Sequence, residues 1–149
     1  MASKKEFAEK EKEDYKSPPI GNKIFSRMYE INPKLVKDNT KLEEIFYSAL
    51  KEDNFNILEK LRHDFEPYGV TLFTILAESE ASLHTFPEYG TIVFSLYSCR
   101  GPKDGINAYN YFKEKVKPTR VHLEIEKVIV DPRHIGKYDT IDKIVKPMQ

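Results

Sequence analysis

Between Ala77 and Glu88 the chain reads Ala-Glu-Ser-Glu-Ala-Ser-Leu-His-Thr-Phe-Pro-Glu, and its single cysteine, Cys99, follows His84 by fifteen residues. A hydroxyl (Ser79), two carboxylates (Glu78 and Glu88), an imidazole (His84) and a thiol are thus within reach of one another in sequence. Histidine ordinarily titrates near neutrality, so a residue of the His84 type can take and return a proton at physiological pH. Taken singly, these residues say little. A Glu-Ser dipeptide is usually loop, a lone cysteine is usually a small buried hydrophobe, Phe65 alone reads as core, and Glu88 alone as a surface carboxylate. No metal site is expected, because Glu78, His84, Glu88 and Cys99 lack Cys-x-x-Cys or His-x-x-x-His spacing. A thiol hydrolase using Cys99 and His84 lacks a recognisable nucleophile turn. His63, His122 and His134 read as solvated or hydrogen-bonded side chains.

Fixed register changes this weighting. Thr71, Glu78-Ser79, His84-Thr85, Pro87-Glu88 and Cys99 together resemble the self-cleavage segment of the small microbial S-adenosylmethionine decarboxylases, Glu-Ser-x-x-x-x-His-Thr-x-Pro-Glu. The resemblance spans roughly residues 21–125, and residues 63–99 are its specific part. It implies a proenzyme that cuts itself between Glu78 and Ser79. Ser79 attacks the Glu78 carbonyl, Thr71 assists through its hydroxyl, and His84 is the base that removes the Ser79 Cα proton. Ser79 becomes a covalent pyruvoyl cofactor, which holds the substrate amine as a Schiff base and serves as an electron sink. Cys99 takes the position of the proton donor to the substrate α-carbon. Phe65 matches the aromatic residue that stacks on adenine, and Glu88 the carboxylate that accepts from the ribose hydroxyls. The implied reaction is decarboxylation of S-adenosylmethionine to the aminopropyl donor of spermidine synthesis. Arginine or ornithine decarboxylation on the same fold, and an inactive regulatory paralogue, are the alternatives. The chain departs from the family pattern at Glu80 (commonly histidine), at Phe86 (commonly tryptophan) and in the stretch from Asp131 to Gln149, which extends past the typical end.

Periodicity outlines the elements that must position these residues. Lys23 to Tyr29 reads as a first strand. Thr40-Lys41-Leu42-Glu43 has capping-box spacing, and Leu42, Ile45, Phe46, Ala49 and Leu50 recur at helical period, predicting a helix over 40–52. Phe55, Ile57, Leu61 and Phe65 share one parity against Asn54, Asn56, Lys60, Arg62 and Asp64, the alternation of a half-buried strand. After a Pro67-Tyr68-Gly69 turn, Val70 to Ala77 is a more apolar strand. Thr91 to Cys99 is rich in β-formers, and Ile106, Tyr109, Phe112 and Val116 mark a second helix closed by Lys117-Pro118. Val121, Leu123, Ile125 and Ile129 alternate with polar residues in a last strand. Helices between groups of strands predict an α+β fold, an antiparallel sheet with helices on one face.

The 149 residues suit one domain, read as a charged arm (1–20), a decarboxylase domain (21–130) and a C-terminal extension (131–149). Twenty-four basic and 24 acidic residues cancel, so charge gives no support to a nucleic-acid partner. No apolar run approaches the roughly 18 residues of a membrane helix, and the charged N-terminus lacks the apolar core of a secretory signal. A lone cysteine points to a reducing cytoplasm. The strand over 70–77 is apolar on both parities, Val70, Leu72 and Leu76 against Phe73, Ile75 and Ala77, so both its faces require cover. A homodimer with active sites at or near the interface is expected, and the resemblance implies pairing of two protomers into an αββα sandwich.

Overall fold

The computed structural model describes residues 16–135, and within them the β-forming runs assemble into one six-stranded antiparallel sheet. The strands are β1 (Ile20–Tyr29), β2 (Ile57–Asp64), β3 (Val70–Leu76), β4 (Ser79–Phe86), β5 (Thr91–Ser98) and β6 (Arg120–Ile129), in the spatial order β2-β3-β4-β5-β1-β6. Three helices interrupt them: a single turn, α1 (Pro33–Val36), then α2 (Asn39–Glu52) and α3 (Ile106–Val116). The α+β protomer expected from the order of elements is the one observed. Residues 1–15 of the 1–20 arm and residues 136–149 of the extension lie outside the described residues.

Alternation within each strand divides the sheet into a covered and an open face. On the covered face, Ile24 and Met28 of β1, Leu72 and Leu76 of β3, Leu83 of β4 and Phe94 and Leu96 of β5 are buried beneath α2 and α3. The helices contribute the apolar positions that periodicity picks out: Leu42, Ile45, Phe46, Ala49 and Leu50 from α2, and Tyr109, Phe112 and Val116 from α3. Phe94 lies 5.4 Å from Phe112 and 6.0 Å from Phe46 between ring centroids, so aromatic contacts join both helices to the sheet centre. The cap of α2 is not the Thr40 box. Asp38 accepts from the Lys41 N–H at 3.0 Å instead, two residues earlier than the spacing suggests.

The open face consists of three rows running across the strands. One reads Ile75, Glu80, Tyr97, Lys23, Glu126; the next Leu61, Phe73, Ser82, Ser95, Phe25, Glu124; the third His63, Thr71, His84, Val93, Arg27, His122. At the β2–β3 end this surface is apolar and bare, with Leu61 67%, Phe73 41% and Ile75 42% exposed. The half-buried strand expected around residues 55–65 is therefore corrected. Beyond Ile57 every β2 residue is exposed, because β2 is the sheet edge and α2 reaches only its polar parity, through Arg62 to Glu43 and Lys60 over Tyr47. A register shift between Ile57 and Glu59 leaves Ile57 packed against the core, and beyond it Leu61 faces the open side beside Phe73. At the opposite edge, His122 is hydrogen-bonded to Arg27 at 2.6 Å.

Gly21 marks a tight approach between β1 and the end of β5. A Cβ there would lie 2.8 Å from the Ser98 carbonyl oxygen and 3.0 Å from the Tyr97 ring. Gly21→Ala should destabilise the fold by about 1–3 kcal/mol, since backbone cannot swing aside as a side-chain tip can. Urea unfolding, with Ser79→Ala present in both proteins so that each is a single chain, measures the effect. An unchanged midpoint would mean that this end of the sheet yields freely.

Candidate active site

Strand alternation ends abruptly at Leu76, and Ala77 and Glu78 form a two-residue hairpin turn into β4, where periodicity assigned no element. Leu76 pairs with Ser79, which in turn pairs with Ser98 of β5. Ser79 carries φ of +148°, a conformation that L-residues other than glycine rarely adopt. Such a residue costs on the order of 1–3 kcal/mol and persists because its surroundings over-determine it. Those surroundings are specific. The Ala77 N–H donates to the Asn56 carbonyl at 2.9 Å, and the Cys99 N–H donates to the Glu78 carbonyl oxygen at 2.9 Å. The Glu78 carboxylate is folded inward, with the residue only 7% exposed, and its Oε1 accepts from the Asn56 N–H (2.8 Å) and Nδ2 (3.2 Å). Cys99 is a free, half-buried thiol one residue past β5.

Arg100 stands behind this turn, with Nη1 3.7 Å from Glu78 Oε1. Its guanidinium stacks 4.1 Å from the Phe55 ring, donates to the Asp53 and Asn54 carbonyls at the end of α2, and pairs with Asp104 at 2.8 Å. Burial disfavours the Arg100 charge, but the Asp104 hydrogen bond and the charges of Asp104, Glu78 and Asp53 outweigh it and raise its pKa above the ordinary arginine value.

A second cluster forms at the other end of β3 and β4. Thr71 and His84 are cross-strand neighbours, and Thr71 Oγ1 lies 3.0 Å from His84 Nδ1. Both line a cleft of about 500 Å³ whose wall also includes Phe65, Pro67, Phe86 and Glu88. Phe65 leaves β2 with its ring exposed and edge-on to His63 at 4.5 Å. Glu88 is presented on a short 3-10 turn, Pro87–Tyr89, and Thr85 anchors the adjoining corner by accepting from the Val70 N–H at 2.9 Å.

The seven candidate residues thus fall into two groups. Glu78, Ser79 and Cys99 meet at the hairpin, and Phe65, Thr71, His84 and Glu88 meet in the cleft. The two groups do not touch within one chain. His84 lies five positions along the strand from Ser79, about 17 Å at 3.4 Å per residue. Sequence reasoning missed Asn56, Arg100, Asp104 and the part played by the Cys99 backbone. An arginine directly after the cysteine was the only available signal, and no periodicity marks it. Among the described residues no group of three or more His, Cys, Asp or Glu is arranged to hold a metal ion.

Comparison with known proteins gives this arrangement a lineage. The family model described as S-adenosylmethionine decarboxylase matches residues 22–127. The chain belongs to this family. The resemblance read from the cleavage motif is borne out. An S-adenosylmethionine decarboxylase proenzyme of Thermosipho africanus is 31% identical over 123 residues, covering 82% of this chain and 88% of that protein. One from Pyrobaculum islandicum is 35% identical over 103 residues, 68% of this chain and 82% of the other. The crystal structure of the adenosylmethionine decarboxylase of Aquifex aeolicus superposes with a TM-score of 0.68 at 25% identity, covering 75% of this chain and 91% of that one.

Proposed function

We propose that this chain is the proenzyme of a pyruvoyl-dependent S-adenosylmethionine decarboxylase that cleaves itself between Glu78 and Ser79. The observation that carries the reading is the Glu78 carbonyl, held on the Cys99 N–H at 2.9 Å beside a Ser79 of positive φ. Ser79 Oγ attacks the Glu78 carbonyl carbon. The oxygen that gains charge already has its donor, and one such preorganised donor contributes about 100- to 1000-fold in rate. Collapse breaks the C–N bond between Glu78 and Ser79, leaving an ester, a free Ser79 amine and a relaxed backbone. His84 then takes the Ser79 Cα proton, and the Glu78 α-carboxylate leaves with the electrons of the Ser79 Cβ–Oγ bond. Water replaces ammonia on the dehydroalanine that remains, which yields the pyruvoyl group.

The surroundings fit that group: a half-buried Ser79 and a free thiol one residue past the paired strand. The pyruvoyl carbonyl supplies the electron sink for loss of the substrate carboxylate. The Cys99 thiol returns a proton to the substrate α-carbon. Phe65 stacks on adenine, and Glu88 accepts from the ribose hydroxyls. Phe65 and Glu88 lining one cleft favour the nucleoside over arginine or ornithine.

Because about 17 Å separates Ser79 from His84 along one strand, the working centre is shared between two copies of the chain. The bare row of Leu61, Phe73 and Ile75 supports burial of the open face. Two such faces stacked about 10 Å apart around a two-fold axis bring the cleft of one copy over the hairpin of the other. The result is an αββα homodimer with two equivalent sites. No helix among the described residues is long and apolar enough to cross a membrane, and a thiol acting as proton donor suits a reducing cytoplasm. Residues 21–130 form the decarboxylase domain, flanked by the 1–20 arm and the 131–149 extension.

Carbon dioxide release tests the substrate. S-adenosylmethionine labelled at its carboxylate should lose label, while labelled arginine and ornithine should not. Release from either amino acid at a comparable rate would reassign the cleft.

A further inference from the structure

We infer that Arg100 is a positioning residue for self-cleavage, locking the Glu78 side chain so that the scissile carbonyl stays on the Cys99 N–H. The inference rests on the reading of Glu78–Ser79 as the self-cleaved bond, and it concerns what holds that bond ready. A turn between two strands ordinarily leaves a glutamate carboxylate in water, whereas Glu78 is 7% exposed. Its Oε2 has no hydrogen-bonding partner among the described residues, so the side chain is held through Oε1 alone. That one oxygen receives both nitrogens of Asn56, at 2.8 and 3.2 Å, and faces Arg100 Nη1 at 3.7 Å. A charge this deep is tolerated when a fixed countercharge stands beside it, and removing that partner leaves the carboxylate unbalanced.

Arg100 is itself immobilised. Nη2 donates to the Asp53 carbonyl at 2.5 Å, Nη1 to the Asn54 carbonyl at 3.1 Å and Nε to Asp104 Oδ2 at 2.8 Å, while the guanidinium plane lies on Phe55. Asp104 is secured in turn by the Ser98 hydroxyl at 2.5 Å. The clamp therefore ties the end of α2, the hairpin tip and the segment carrying Cys99 into one unit. Arg100 adjoins Cys99 in the chain, and its own N–H is bound to Ser98 Oγ at 3.1 Å, so the same network fixes the donor and the carbonyl. No hydrogen bond or ion pair of Arg100 involves Ser79. Its influence passes through Glu78. Lysine keeps the charge but not the planar fork that meets the two carbonyls and Asp104 together.

The test follows cleavage of freshly translated full-length chain by denaturing electrophoresis. Arg100→Ala should lengthen the half-time by at least about tenfold, as expected when a buried charged group loses its partner, and Arg100→Lys should fall between it and wild type. Hydroxylamine, which cleaves an ester but not an amide, should not rescue the slow variants, because positioning acts before the acyl shift. Thermal unfolding of Ser79→Ala with and without Arg100→Lys, both single chains, should find both folded at the assay temperature, with a lower midpoint where the planar fork is lost. Wild-type cleavage with Arg100→Ala keeping pace overturns the inference alone, and so does hydroxylamine rescue, which would move the effect past the acyl shift. An Arg100→Lys chain that is unfolded at the assay temperature overturns it too, by making Arg100 a stabilising residue only. A wild-type chain that never cleaves overturns the reading of the Glu78–Ser79 bond itself.

Discussion

Co-expressing Ser79→Ala chains with His84→Ala chains is expected to restore cleavage that neither variant shows at a useful rate alone. Loss of a positioned base slows a proton transfer by about 100- to 10,000-fold, and loss of Ser79 removes the nucleophile altogether. The restoration follows from geometry. Thr71 and His84 form a hydrogen-bonded pair at the cleft end of β3 and β4, while Ser79 occupies the hairpin end. In a mixed dimer, an intact Ser79 on the His84→Ala chain faces an intact His84 on the Ser79→Ala chain. The reciprocal site lacks both. With random pairing of equal amounts about half of the His84→Ala chains should be cut, since a two-fold dimer pairs copies without preference. The Ser79→Ala chains should stay whole, and a mass tag on one chain distinguishes them on a gel. Absence of cleavage in the mixture would place the base and the nucleophile in one protomer, against a separation of five positions along β4.

Cys99→Ala is expected to separate two functions of one residue. The backbone N–H on the Glu78 carbonyl survives the change, so the chain should still be cut. The thiol does not survive, and activity should fall by about 100-fold or more during turnover, the scale of losing a general acid. The cause is that the proton goes to the cofactor carbon and not to the substrate. Mass analysis of the chain beginning at residue 79 should therefore find an N-terminal alanine accumulating with each turnover. Loss of activity without that product would remove Cys99 from the proton-donor role.

The sequence made parts of this molecule legible because local pattern and tertiary burial agree there. α2 and α3 bury the apolar faces that their period predicts, and β3 is apolar on both parities because one side packs under the helices and the other meets the open face. The site residues were legible through their register with a known motif, not through any property of their own. β4 was not, since Ser79-Glu80-Ala81-Ser82-Leu83 has too few apolar residues to announce a strand. It is held by neighbours on both sides. The edge position of β2 depends on strand order, which alternation does not encode. The clamp around Glu78 was invisible for a related reason. Asp53, Asn56, Arg100 and Asp104 come from three segments and converge only when the hairpin closes against the end of α2. The division of the site into two clusters likewise appears only once Ser79 and His84 are seen to share one continuous strand.

The intact mass of the purified wild-type protein tests the central claim most directly. The account predicts no species of 17.4 kDa, but two chains, residues 1–78 and 79–149. The second should weigh one ammonia less than a serine-started chain gaining no other group, and should resist Edman degradation. A single full-length chain with a free N-terminus and no detectable ketone would contradict it.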